Sequence, residues 1–287
     1  PDLTLATTTA SMFRSCSNLV ANPSINTWDM SNITVLGSGY HGGMFSFCNL
    51  FNQPIGDWDT SNVTNLSSFF GGDKGAMMFN QPLNNWDVSS VTSMYLMFRS
   101  CTSFNQPLDN WDMSSVVSMH GMFRGAASFD QNIGGWDVSN VTRFCDDFVG
   151  PFIQASSFNN GGSDSIKNWD VSGATKFGGA HGGGFFAGAS SFNQPIGNWD
   201  VSNVTDMRNV FLNALSFDRS LANWNIDQVT VFTNFMHGTT LSTQNYNATL
   251  ISWAAQNVSL NESVNFGNSQ YSYEGASARQ TLIDTYG

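Results

Sequence analysis

Apolar residues return along this chain in blocks, at fixed places within each block. The fullest block opens at Phe104, continues through Leu108, Trp111 and Met113, and ends with Val116, Met119, Met122 and Phe123 before Phe129 opens the next. Its first part suits a short extended segment and a bend. Its second part has a three-to-four spacing and predicts a single helical or 3-10 turn. A Trp followed by Asp or Asn marks the block eight times, at Trp28, Trp58, Trp86, Trp111, Trp136, Trp169, Trp199 and Trp224. Their spacings are 30, 28, 25, 25, 33, 30 and 25, so the unit is 25 residues with insertions of three, five or eight. Of the nine tryptophans only Trp253 lies outside this register. One such unit cannot bury its apolar side alone, which predicts a repeat solenoid of about eight units held together by nearest neighbours.

The ends differ from the middle. Residues 1–19 hold only the later half of a unit, Ser11 to Cys16 after a Thr-rich strand-like stretch, and are expected to form an N-terminal capping half-repeat. Residues 20–242 carry the eight repeats, and 243–287 are expected to form a C-terminal α/β cap. There Tyr246, Leu250, Trp253 and Ala254 share one face of a helix capped by Ser242 or Thr243. An alternating stretch, Val264 and Phe266, leads to a second helix around Glu274 to Thr285.

The segment Phe192 to Met207 reads Phe-Asn-Gln-Pro-Ile-Gly-Asn-Trp-Asp-Val-Ser-Asn-Val-Thr-Asp-Met. It resembles the 25-residue repeat of BspA-type leucine-rich-repeat surface proteins. The Met-Phe-Arg-Ser-Cys segments at Met12 and Met97 resemble the close of a related repeat in the same superfamily. The tail from Tyr246 to Trp253 and from Ser277 to Gly287 resembles the segment that closes such arrays. Departures are Gly173-Ala174 in the sixth repeat and Asn225 in the eighth. The resemblance implies a leucine-rich-repeat-like solenoid, with a short strand plus a helical or 3-10 turn in each unit and a helical C-terminal cap. It also implies extracellular or cell-surface display and adhesion or recognition, and brings no catalytic residues with it.

Composition narrows the partners. Acids outnumber bases 21 to 10, a net charge of −11, and the few cations are scattered. Nucleic acid and anionic membrane are poor partners for such a chain. No apolar run approaches the roughly 18 residues of a spanning helix, so no membrane insertion is expected within this segment. The start has neither an initiator Met nor a basic-then-apolar leader, as in a mature chain or a piece of a longer one. Only Glu262 and Glu274 are glutamates, whereas 27 residues are Gly, a composition of turns rather than exposed helices.

The repeated columns read first as structure. Eight tryptophans in one slot favour an internal ladder over exposed stacking platforms. Asp29, Asp59, Asp87, Asp112, Asp137, Asp170 and Asp200 are each followed two residues later by Ser, the pattern of an Asx turn, with calcium bridging as the competing use. Another isolated calcium site is conceivable near Asp146, Asp147 and Asp164. Recurrent Asn-Gln pairs, from Asn52-Gln53 to Asn193-Gln194, predict amide ladders, with a polar recognition face as the alternative. Eight Asn-x-Ser/Thr triplets occur, at Asn32, Asn62, Asn65, Asn140, Asn203, Asn247, Asn257 and Asn261, four of them inside the repeated turn. Cys16, Cys48 and Cys101 share a slot that is Ala elsewhere, read as free and buried.

Gly-rich insertions at 37–43 and 178–184 share one slot, and both contain His-Gly-Gly. Tyr40, His41, Lys74 and His181 in inserted loops are therefore the expected partner-binding residues. His41, His120, His181 and His237 lie in distant units, and no metal, cofactor or catalytic motif is present. The expected function is a non-catalytic module binding a protein or cell-surface glycan. A structural stalk or filament subunit, associating through the repeat ends, is the alternative.

Overall fold

The computed structural model describes residues 2–20, 22–40, 42–72, 75–256 and 264–286. Its regular secondary structure is sparse. Two short strands, β1 (Val35–Gly37) and β2 (Asn65–Leu66), pair in parallel. Three 3-10 segments cover Pro23–Thr27, Asn160–Gly162 and Asp164–Asn168, and two α-helices follow, α1 (Thr243–Trp253) and α2 (Tyr273–Tyr286).

This overturns the leucine-rich-repeat-like solenoid expected from the sequence. Among the described residues no repeat combines a strand with a helical or 3-10 turn in the slot where the sequence places one. The reason lies in the backbone. Leu96 (φ 55°) and Ser100 (φ 61°) are left-handed, as are Gly121 (φ 58°) and Gly125 (φ 70°) at the same places in the next copy. A left-handed residue every fourth position stops any helix after one turn.

Hydrogen bonding follows from that geometry. The N–H groups of Met94, Leu96, Phe98 and Ser100 donate to the carbonyls of Ser118, His120, Met122 and Arg124 in the next copy, at 2.7–3.0 Å. The intervening N–H groups of Met97, Arg99 and Cys101 turn back to Met94, Leu96 and Phe98, at 3.0–3.2 Å. Alternate donors thus close local turns while the others link neighbouring copies. With half of the ladder diverted, most copies meet through single parallel bridges, such as Asn65 to Ser93 and Ser93 to Ser118, and do not extend into strands.

The side chains expected to be core are core. Phe104, Leu108, Trp111, Met113, Val116, Met119, Met122, Phe123 and Phe129 are all buried. Phe51, Phe79, Phe104, Phe129, Phe158, Phe192 and Phe217 form a continuous column with 5.9–6.1 Å between successive rings. Beside it runs the Trp column, buried from Trp58 to Trp224, with Trp28 half-buried at its start. From Trp58 to Trp224 each indole N–H donates to a carbonyl of the preceding copy, Trp111 to Leu83 and Trp136 to Leu108 at 2.9 Å. The tryptophans therefore supply both apolar burial and one satisfied buried donor per copy.

Helix α1 buries Tyr246, Leu250 and Trp253 and packs against α2. Ser242 is its N-cap residue, but its hydroxyl donates to Asp218 at 2.9 Å instead of capping the helix. Val264 and Phe266 pack on the core without forming a strand. In the cysteine slot Cys48 and Cys101 are buried, but Cys16 is exposed, a correction to the expected burial of all three. All four cysteines are free.

Candidate functional site

The repeated polar columns are engaged within the fold. Every Asp of the Trp-Asp column accepts the backbone N–H two residues on, from Asp29 with Ser31 to Asp200 with Ser202, at 3.0–3.1 Å. The Ser hydroxyl often adds a 2.6 Å bond, as at Asp59 and Asp137. Those contacts hold the carboxyls of Asp29, Asp59, Asp112, Asp137 and Asp200 below the usual carboxylate range, the hydroxyl contributing most and the backbone N–H next. Asn225 makes the same turn with Asp227 N–H at 3.0 Å. These are Asx turns.

The Asn-Gln positions form one unbroken ladder. The side-chain oxygens of Asn52, Asn80, Asn105, Asp130, Asn159, Asn193 and Asp218 each accept the backbone N–H of the equivalent residue in the next copy, ending at Ser242, at 2.7–3.0 Å. Gln106, Gln131 and Gln194 add a second bond to the same oxygens. The sequon asparagines Asn32, Asn62, Asn140 and Asn203 donate their amides to Thr4, Ser31, Ser114 and Ser172 carbonyls of the preceding copy. Asn65 Oδ1 accepts Ser67 N–H, and Asn247 is buried against Ser272. Asn257 and Asn261 lie outside the described residues.

Chemistry that the repeats do not absorb gathers where the insertions lie. The loops at 37–43 and 178–184 are fastened to the following copy. Ser68 Oγ donates to Gly39 O and Tyr40 O at 2.9 Å, and Asn209 Nδ2, in the equivalent slot, donates to Gly179 O at 2.7 Å. A Cβ at Gly43 would overlap Ser68 O, and one at Gly184 would overlap Asn209 O. Glycine is what lets these loops lie flat on the neighbouring backbone. They are seated loops rather than slack ones.

Tyr40 lies on this face, its ring 6.2 Å from Tyr95 and beneath the Arg99 guanidinium at 5.1 Å. Tyr95 continues to His120 at 5.9 Å, edge to face, and His120 Nδ1 lies 3.9 Å from Asp146. Burial pushes the Tyr95 hydroxyl up to about 12 and pulls His120 down, while Asp146 opposes the latter. His181 lies at the far end of this run, its ring stacked on Phe148 at 4.8 Å. Tyr40 and His181 therefore share a face without touching. His41 and Lys74 lie outside the described residues.

The bridge ladder also breaks here. Bridges run from Asn65 through Ser93 and Ser118 to Arg143, then from Lys176 through Asp206 to Val231, and among the described residues none joins Arg143 to Lys176. In the gap Asp146 folds the next residues back by accepting Phe148 and Val149 N–H at 2.8 Å. Lys176 pairs with Asp147 at 3.1 Å, and Arg208 pairs with Asp206 at 2.5 Å and approaches Asp147 at 3.8 Å. Lys176 lowers the Asp147 carboxyl first by its hydrogen bond and then by its charge. The exposed Lys176–Asp147 pair positions side chains and adds only about 0–1 kcal/mol, whereas the Arg208–Asp206 pair has its carboxylate buried. A small second core of Leu96, Val149, Ile153 and Ala187 supports the loop from beneath. Phe148 is left 59% exposed, beside an open depression of about 200 Å³ lined by Arg124, Phe148, Gln154, His181, Leu212 and Asn213.

Sequence reasoning named Tyr40 and His181 as candidates and did not name Tyr95, Arg124 or Phe148, which the structure places beside them. An unusual aromatic outside the core slots was the available signal for Phe148.

A family model described as Mycoplasma protein of unknown function, DUF285, matches residues 7–118, 40–164, 107–183 and 163–276. The chain belongs to this family. The overlapping matches fit a repeat protein, and together they run through every copy of the motif. No curated protein and no solved structure matches the chain. Among the described residues of this DUF285 chain, no helix is long and apolar enough to cross a membrane, and no group of three or more His, Cys, Asp or Glu could hold a metal ion.

Proposed function

We propose that this DUF285 protein is a non-catalytic recognition or adhesion module, displayed outside the cell, that binds its partner through the face carrying the inserted loops. One observation supports the reading above others. The regular Trp, Asp and Asn columns are engaged in holding copies together, whereas the seated insertions present Tyr40 and His181, the latter stacked on the exposed Phe148, on an acidic chain. Loops held by a rigid scaffold are where binding residues concentrate. The resemblance of the repeat to BspA-type surface proteins supports display at the cell surface.

The test is binding of the purified chain to intact cells, with competition by unlabelled chain. Saturable binding that is lost in a Tyr40→Ala, Phe148→Ala, His181→Ala triple variant of unchanged melting temperature is the expected result. Binding indifferent to all three changes would move the partner surface elsewhere. Ordered assembly of the chain into fibres without cell binding would favour a stalk or filament subunit.

A further inference from the structure

We infer that the depression beside Phe148 is a subsite for one acidic sugar ring, a hexuronic acid unit, with its carboxylate on Arg124 and its apolar ring face on Phe148. The inference rests on the recognition reading above and gives that face a ligand class.

Size comes first. About 200 Å³ is smaller than the roughly 300–1,000 Å³ of pockets for drug-sized ligands, so the depression fits a single ring. Its wall includes the Phe148 ring, 59% exposed and stacked on His181, another lining residue, at 4.8 Å and 13°. An exposed Phe held at a fixed angle offers a negatively polarised face to the C–H side of a pyranose. Gly182 (φ 83°) and Gly188 (φ 72°) lie in the same lining and keep it free of side chains.

Charge comes second. Arg124 is the only Lys, Arg, Asp or Glu in the lining. It is half-buried, and among the described residues no ion pair holds it. A guanidinium in that position suits one carboxylate, which it can bind through two parallel N–H donors. A polyanion fits poorly, because the chain as a whole carries −11. The exposed amides of Gln154 and Asn213 complete the rim with donors and acceptors for hydroxyl groups. Aromatic wall, single cation and amide rim together describe a sugar acid more closely than an aliphatic or a multiply charged ligand.

The probes are methyl β-glucuronide, methyl β-glucoside and acetate, measured on the full chain by saturation-transfer NMR and titration calorimetry. The glucuronide is expected to bind about tenfold or more tightly than either of the others. Phe148→Ala should remove binding of both sugars and Phe148→Trp should restore it. Arg124→Gln should erase the preference for the acid while weak sugar binding persists. Unchanged melting serves as the folding control for all three variants, and unchanged Trp emission for Phe148→Ala and Arg124→Gln. Absence of glucuronide binding up to tens of millimolar, or binding unaffected by the Phe148 and Arg124 variants, would overturn the inference. Cell binding that requires Phe148 yet is not inhibited by the glucuronide would assign the depression to a protein partner, overturning the sugar while leaving the recognition reading intact. Glucuronide binding without any cell binding would sustain the subsite and count against that reading.

Discussion

Trp253 donates its indole N–H to the carbonyl of Leu221 at 3.1 Å, the bond that every Trp from Trp58 to Trp224 makes to the copy before it. Trp224 makes the preceding one, to Ile196 at 3.0 Å. Helix α1 thus delivers the ninth tryptophan to a column that its sequence register does not include. Its ring lies at 46° to Phe232 and Phe235, unlike the near-parallel stacking between repeat tryptophans. A helical backbone has replaced the turn, yet the same buried carbonyl is satisfied.

Trp111→Ala removes a buried indole and one of the two donors to Leu83 O, which keeps the Trp86 N–H at 3.0 Å. A loss of about 3–5 kcal/mol is expected for an aromatic deletion of this size. Trp111→Phe keeps much of the packing and should cost nearer ~0.5–1.5 kcal/mol, the net value of one hydrogen bond, because Leu83 O still accepts the Trp86 N–H. Urea unfolding measures both. Native emission should be blue-shifted and resistant to iodide, since the column is internal.

The Asx column carries an acid sensitivity of defined sign. Asp29, Asp59, Asp112, Asp137 and Asp200 have folded pKa values below the ordinary value of about 3.9. A depressed folded pKa contributes stability that is present above the unfolded pKa and lost as pH falls through the folded one. Melting temperature should therefore fall only below about pH 4. Asp112→Asn should melt near wild type at neutral pH, because Asn225 already builds the same turn. EDTA and millimolar calcium should give the same melting curve.

Along the amide ladder, Asn105 Oδ1 accepts Asp130 N–H at 2.9 Å and Gln131 Nε2 at 2.8 Å. Asn105→Ala should lose about 1–3 kcal/mol and speed hydrogen exchange at Asp130. Asn105→Asp should be tolerated, since Asp130 and Asp218 occupy the same rung. Equal losses in both variants would show that shape, rather than the acceptor oxygen, matters at this position.

Thiol chemistry should separate the cysteines. Burial pushes the Cys48 thiol up to about 12, and burial also raises Cys101 and Cys145. Only Cys16 is exposed. At pH 8 a thiol reagent should modify Cys16 alone in the native chain and all four in denaturant. Fast native reaction of Cys101 would mean that its copy opens readily.

Much of this molecule was legible from side-chain spacing alone. Period and residue type place Phe104, Trp111 and Met122 on one buried side and make Asp112 with Ser114 a turn, because burial and Asx bonding depend on neighbours a few residues away. The helical reading of Val116, Met119, Met122 and Phe123 failed for an equally physical reason. Their spacing is shared by a helix and by successive turns, and only the backbone tells them apart. Gly121 permits the left-handed conformation, but its counterpart Leu96 gives no hint of it. The candidate site was partly visible, since its Gly-rich loops interrupt the period at Tyr40 and His181. Arg124, Phe148, His181 and Asn213 come together only across three junctions between copies, where the ladder breaks between Arg143 and Lys176. Local sequence sets what each copy buries and how it turns. Which unspent side chains meet is decided by how insertions of unequal length settle against the next copy, and that is a property of the tertiary structure.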